Sequence, residues 1–268
     1  MRAPRRSGRL VAARCRKQLS ARELSLLKSV KRYRYLSARQ IEELHFSGHA
    51  SPLSAARTCR RVLERLTNAG VLWRLGRRIG GVHAGSASYV YTLAPLGQRL
   101  LDDGAGGRVR RREPALALLE HTLAIAALGI DLQRAARAGE LELMSLETEP
   151  HCWRRFSAGL EGSQTLEPDL ALSLRAGAYE YHWFVEIDLA THGAAAIVRK
   201  CRIYQRYWQA GIEQDDKGLF PKVLFVAPHE PRRTLLARTI AGAQQLNASL
   251  FAVTTSADAF ATLSGAAS

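Results

Sequence analysis

The stretch PDLALSLRAGAYEYHWFVEID, residues 168–188, constrains the fold more than any other part of the chain. Two strand-length apolar runs, 168–174 and 179–188, are divided by Arg175-Ala176-Gly177-Ala178. Runs of that length separated by a glycine-containing turn read as a β-hairpin. Glu186 and Asp188 are two apart and share a face on an ideal strand. Asp169 begins the preceding strand, so the hairpin brings its position beside the end of its partner. Three clustered carboxylates repel one another and raise their own pKa values unless a cation neutralises them. Hard oxygen donors in that arrangement suit Mg²⁺ or Mn²⁺, and such an ion polarises a scissile phosphate and generates hydroxide. The competing reading is three acids in ordinary hairpin positions.

The flanking pattern predicts a long helix over 115–138, a strand over 141–147, and, after the hairpin, a helix over 194–210. A buried strand (222–228), a helix (232–245) and a last strand (249–255) follow. That order implies an α/β (α+β) domain, a mixed sheet with helices on its faces. On the 194–210 helix, Ile197, Cys201, Tyr204 and Trp208 form an apolar stripe, with Lys200 about 60° from its centre, beside Tyr207. Arg199, Arg202 and Arg206 fall on the opposite side, where solvated cations belong. A lysine edging toward a packed face calls for a carboxylate or phosphate partner; the alternative is a snorkelling side chain.

The N-terminal half has a different character. Ser20 with Glu23, Ser37, and Ser51-Pro52 each mark a helix start. In the third helix Ala55, Cys59, Val62, Leu63 and Leu66 form one stripe, ended by Asn68-Ala69-Gly70. Two β-like runs, 71–75 and 89–93, flank the glycine- and arginine-rich GRRIGGVHAGSAS. Three helices followed by a ribbon with a basic tip is the order of a winged helix-turn-helix, here residues 20–103. Ser54, Arg57, Thr58 and Arg61, off the apolar stripe, would face a major groove, with Arg77, Arg78 and His83 reaching phosphate or minor groove from the wing.

Charge supports that reading. Of a net +15, residues 1–112 hold 25 lysines and arginines against 6 acids; the remainder holds 14 against 18. A basic half joined to a slightly acidic half suggests a phosphate-binding module attached to something else. The alternatives are a solvated basic tail and a winged helix used for protein contacts. The organisation expected is a basic tail (1–19), the winged helix (20–103), a Gly/Arg-rich linker (104–114) and a second domain (115–268). Four cysteines without paired spacing leave no zinc motif or disulfide framework. The longest apolar stretches are far short of the ~20 residues of a membrane span, and no apolar core follows the N-terminal arginines. A cytoplasmic protein is expected.

With Pro168-Asp169, Glu186-x-Asp188 and Lys200-x-x-x-Tyr204 behind a winged helix, the chain resembles the replication-relaxation proteins of plasmids and integrative elements. These are similar to mobilisation-type C relaxases with a PD-(D/E)XK nuclease-like domain. The resemblance covers roughly residues 20–255. It implies that Asp169 and Glu186 ligate a divalent ion, that Asp188 ligates it or orients water, and that Lys200 stabilises phosphate. Asp188 stands where many such nucleases carry lysine, and Lys200 is then the replacement cation. Glu149 and His121 match weaker family positions. The implied activity is metal-dependent DNA nicking in plasmid or mobile-element replication and transfer. The implied partners are double-stranded DNA at an origin or operator, and other mobilisation or replication proteins. The chain lacks the His-x-His triad of tyrosine-type relaxases. The alternatives are a non-catalytic regulator or accessory factor, its nuclease fold a dimerisation or protein-binding platform, and a replication initiator with no hydrolytic step.

Overall fold

The computed structural model describes residues 14–48, 51–79, 88–102, 113–157 and 162–266. The chain divides into two compact units, residues 1–130 and 131–268. The expected linker lies outside the described residues except for its end, and so do most of the basic tail and the wing tip with His83.

In the first unit, α1 (Ala21–Tyr33) opens on a capping box: the Ser20 hydroxyl accepts from the Glu23 backbone, and the Glu23 carboxylate accepts from the Ser20 backbone. Helix α2 (Ala38–His45) repeats the device with Ser37 and Gln40. Helix α3 (Pro52–Asn68) starts at a Ser51 cap with proline in its first turn. Each cap satisfies amide groups that have no intrahelical partner, so these short signals fix the helix starts. Ala55, Cys59, Leu63 and Leu66 are the buried side of α3, and Val62 is half-buried. Strands β2 (Leu72–Ile79) and β3 (Ser88–Leu93) pair antiparallel, and β1 (Leu36–Ser37) adds to the other edge of β3. Helix α4 (Pro95–Leu101) closes this sheet.

Helix α5 (Leu116–Ala138) is long and apolar enough to cross a membrane, with mean hydropathy 1.3. Polar residues such as Glu120, His121 and Asp131 break its sequence into short apolar runs, which hid that property. Its apolar side is spent inside the protein: Leu119, Ile125, Ala126, Ile130, Leu132 and Ala135 are all buried. Leu119 and Leu123 pack with Leu75, Val90 and Tyr35, and the Gln40 amide donates to the Leu123 carbonyl at 2.9 Å.

The second unit is built on a mixed five-stranded sheet of order β10-β9-β8-β7-β4. Strands β4 (Glu142–Thr148), β7 (Leu170–Ala176) and β8 (Tyr179–Ile187) are antiparallel. Strands β9 (Lys222–Ala227) and β10 (Phe251–Thr255) continue parallel to β8. The expected hairpin is thus the β7–β8 pair, turned at Gly177 with φ 58°. Helices α6 (Ala194–Gln209), α7 (Ile212–Lys217), α8 (Glu230–Ala241) and α9 (Ala259–Leu263) complete the unit. Sequence pattern missed α7, α9 and a small separate hairpin, β5 (Arg154–Ser157) with β6 (Ser163–Leu166). Four-residue strands as polar as RRFS and SQTL carry no alternation long enough to read.

The core of this unit is aromatic. Phe184, Tyr204, Tyr207, Phe225 and Phe251 pack in it with Ile197 and Leu236. On α6 the buried stripe is Ile197, Cys201, Tyr204 and Tyr207. Trp208, expected on that stripe, is half-buried at its margin.

Candidate functional site

Strand register assembles the site. Leu170 lies opposite Val185, which sets Asp169 beside Glu186. The Asp169 amide donates to the Val185 carbonyl at 3.1 Å, and its carboxylate accepts from the Ile187 amide at 2.7 Å. On the other side Thr148 pairs with Leu170, and the Glu149 amide donates to the Asp169 carbonyl at 3.3 Å. Glu149, Asp169 and Glu186 therefore stand side by side across the ends of β4, β7 and β8.

Glu186 is buried at 3% exposure and is answered by α6. The Lys200 ammonium pairs with Oε2 of Glu186, and the Tyr204 hydroxyl donates to Oε1 at 2.6 Å. Helical spacing explains the pairing, because residues four apart lie one above the other on the same face. Burial pushes the Glu186 carboxyl up to about 7 against the pull of the Lys200 charge, and Asp169 adds to the rise. Burial lowers Lys200, but the Glu186 and Asp169 charges outweigh that and hold it above its usual range. Tyr204 is fully buried, and burial beside Glu186 holds its phenol well above the usual value. It is a neutral donor whose hydroxyl is spent on Glu186, so sequence proximity did not identify an exposed nucleophile.

Asp188 does not join this group. Strand β8 ends at Ile187, and both Asp188 oxygens turn to Arg232 on α8, accepting from Nε and Nη2 at 2.8 Å each. Oδ1 also accepts from the Ala190 amide at 2.6 Å, and Arg232 Nη2 donates to the His192 carbonyl at 2.7 Å. Asp188 and Arg232 are 8% and 7% exposed. Hydrogen bonding to Asp188 raises the Arg232 pKa. The pair clamps the loop that leads into α6. No short-range signal marks Arg232; its partner is 44 residues away.

A second buried acid, Glu213 on α7, was also passed over. It accepts from the Tyr207 hydroxyl at 2.8 Å, the Lys217 ammonium at 2.7 Å and Arg154 Nε at 3.3 Å. Arg154 also reaches Glu147 on β4 at 2.8 Å, so this network ties α7 to the inserted hairpin and the sheet edge.

Among the described residues no group of three or more His, Cys, Asp or Glu is placed to hold a metal ion. The three-acid set is reduced by the loss of Asp188 to Arg232. Asp169 and Glu186 remain as two adjacent hard-oxygen donors, and one or two carboxylates are what Mg²⁺ ordinarily takes from a protein, water and phosphate filling the rest. The donor set left for such an ion is two carboxylates, not three, and both Glu186 oxygens are already bonded by Lys200 and Tyr204.

In the first unit, Ser54, Arg57 and Arg61 are exposed on α3 and Thr58 is half-buried. Leu53, which sequence reading passed over, stands 81% exposed on the same helix. Arg77 and Arg78 lie on β2, but their side chains are outside the described set. His121 is half-buried on α5, within the first unit.

A family model described as Replication-relaxation matches residues 27–223. No curated protein and no solved structure matches the chain. The matched span begins within α1 and holds α2–α4, the row of acids, Lys200 and Tyr204, and stops short of Arg232. The chain belongs to the replication-relaxation family, a membership that points to a role in the replication or mobilisation of mobile elements.

Proposed function

We propose that this protein binds duplex DNA through its first unit and nicks it with the second, in a metal-dependent step at Asp169, Glu186 and Lys200. The observation that carries the reading is the Lys200 ammonium on the Glu186 carboxylate, beside Asp169. Two acids at the ends of adjacent strands with a nearby lysine are the charge complement of a PD-(D/E)XK-type nuclease, the lysine here coming from α6 in place of the position that Asp188 holds just past β8. Asp169 and Glu186 would hold the divalent ion, which supplies positive charge at the scissile phosphate when bound. Lys200, with its side chain 39% exposed, would hold a phosphate oxygen while its ammonium neutralises Glu186. Tyr204 fixes the Glu186 rotamer from below.

The first unit is read as a winged helix-turn-helix. Arg57 and Arg61 face outward with Leu53, whose exposed apolar group suits a thymine methyl in a major groove.

The test is nicking of a supercoiled plasmid carrying the cognate origin, with Mg²⁺ or Mn²⁺. Wild-type protein should convert it to open circles, and Asp169→Asn and Glu186→Gln should abolish conversion without loss of DNA binding. A second reading, a non-catalytic DNA-binding regulator or accessory factor, is favoured by the closure of the network: Glu186 already has Lys200 and Tyr204 as partners, and Asp188 has Arg232. Binding with no nicking under any metal would select it.

A further inference from the structure

Helix α6 carries four of the fourteen cations in residues 131–268 and none of the sixteen acids. Lys200 turns inward to Glu186. Arg199, Arg202 and Arg206 lie on the side away from Ile197, Cys201, Tyr204 and Tyr207. Arg199 and Arg202 are exposed, and among the described residues neither pairs with a carboxylate; Arg202 donates only to the Gln245 side chain, at 3.2 Å.

Such a row is unfavourable for the helix by itself. Arg199 with Arg202 and Arg202 with Arg206 are like-charge pairs at i,i+3 and i,i+4, each destabilising by roughly 0.2–0.5 kcal/mol on a solvated helix. Other arginines of the unit meet acids, Arg233 bonding Glu230 and Arg175 bonding Glu142 and Glu180, while the exposed Arg155 bonds the Ser163 hydroxyl. What sets Arg199 and Arg202 apart is that they stand together on one helix face and border the position that delivers Lys200.

We infer that the outer face of α6 is a phosphate-binding track for duplex DNA. Arg199 and Arg202 hold backbone phosphates of the strand whose neighbouring linkage lies at Lys200. The inference rests on the DNA-processing reading above and adds a binding surface that the acid cluster does not require. Guanidinium groups suit the task because their planar fork matches two phosphate oxygens at once.

The experiment measures binding of full-length protein to a fluorescent 30-base-pair duplex and to the matching single strand across a salt series. Compared are wild type, Arg199→Ser/Arg202→Ser and Arg57→Ser/Arg61→Ser. Each phosphate deprived of its arginine should reduce the magnitude of the slope of log K against log salt by about 0.9 on duplex. The α6 double variant should therefore show a slope shallower by about one to two, with its melting temperature unchanged. A wild-type slope in the α6 variant overturns the track and leaves the DNA-binding reading standing on the α3 variant. A loss confined to single-stranded DNA overturns the duplex assignment. Absence of salt-dependent binding by the wild type overturns both.

Discussion

Lys200 on α6 and Glu186 on β8 form an ion pair across fourteen residues of chain, with Tyr204 bonded to the other oxygen of the same carboxylate. One helix face thus supplies both partners of a buried acid. Lys200→Ala should abolish nicking of supercoiled plasmid while leaving duplex affinity unchanged. Lys200→Arg should rescue poorly, because the guanidinium is a wider planar fork than the compact ammonium. Nicking by the alanine variant at the wild-type rate would remove Lys200 from the site.

The Asp188–Arg232 pair is structural by its geometry, two parallel bonds of 2.8 Å between buried groups. Arg232→Met should destabilise the protein by about 3–5 kcal/mol, since it strands a buried carboxylate. Asp188→Asn combined with Arg232→Met should recover part of that loss, because the uncompensated charge is gone. Urea denaturation of the single and double variants measures the coupling; strict additivity would mean the two side chains do not interact.

Glu213 gives a pH dependence whose sign is fixed by its surroundings. Burial works to raise its carboxyl, but hydrogen bonds from Lys217 and Tyr207 and the Arg154 charge outweigh it, and the net displacement is downward from 4.5. A depressed folded-state pKa stabilises the protein above the unfolded value, and the contribution fades as pH falls through the folded one. The stability advantage of wild type over Glu213→Gln should therefore shrink as pH is lowered from 7 to 3, read from denaturation midpoints. A difference constant across that range would contradict the assignment.

Gly97 brings α4 against the backbone of Val71, just before β2, and the Leu93 side chain of β3. A Cβ at this position would lie 2.2 Å from the Val71 carbonyl oxygen, and that oxygen is held by the Ala94 amide at 3.0 Å. The closest neighbour is backbone, which leaves little room to yield. Gly97→Ala should lower the melting temperature, by the equivalent of about 1–3 kcal/mol of overpacking. An unchanged melting temperature would show that α4 can shift freely.

On α3, Arg57→Ala and Arg61→Ala separate base reading from backbone holding. If either side chain contacts a base edge, its loss should cost about 1–3 kcal/mol on the cognate site and less elsewhere. Equal losses on all sequences would assign it to phosphate. Competition binding with cognate and scrambled duplexes distinguishes the two.

Much of the fold was legible because its signals are local. Ser20 with Glu23, Ser37 with Gln40 and Ser51 with Pro52 cap helices within three residues of themselves. The β7–β8 hairpin was readable from two runs and a glycine turn, and its register follows from turn position. The side-by-side placement of Asp169 and Glu186 comes directly from that register. The β5–β6 hairpin was not legible, since its strands are four residues long and mostly polar. Helix α5 was legible from its pattern over 115–138; only its high mean hydropathy was obscured, because polar residues interrupt its apolar runs along the chain.

Helix starts, hairpin register and the phase of α6 were determined by the sequence itself, through hydrogen bonds and side-chain periods spanning a few residues. The choice of partners was not. Strand parity places Asp188 with Glu186, yet a guanidinium 44 residues away captures it. Helix phase brings Lys200 only to the margin of the buried stripe, and packing of α6 over the sheet decides that its ammonium meets Glu186 and not solvent. A buried charge takes the nearest group able to neutralise it, because leaving it unpaired costs more than any local preference supplies. Which group is nearest is settled only when distant segments pack together.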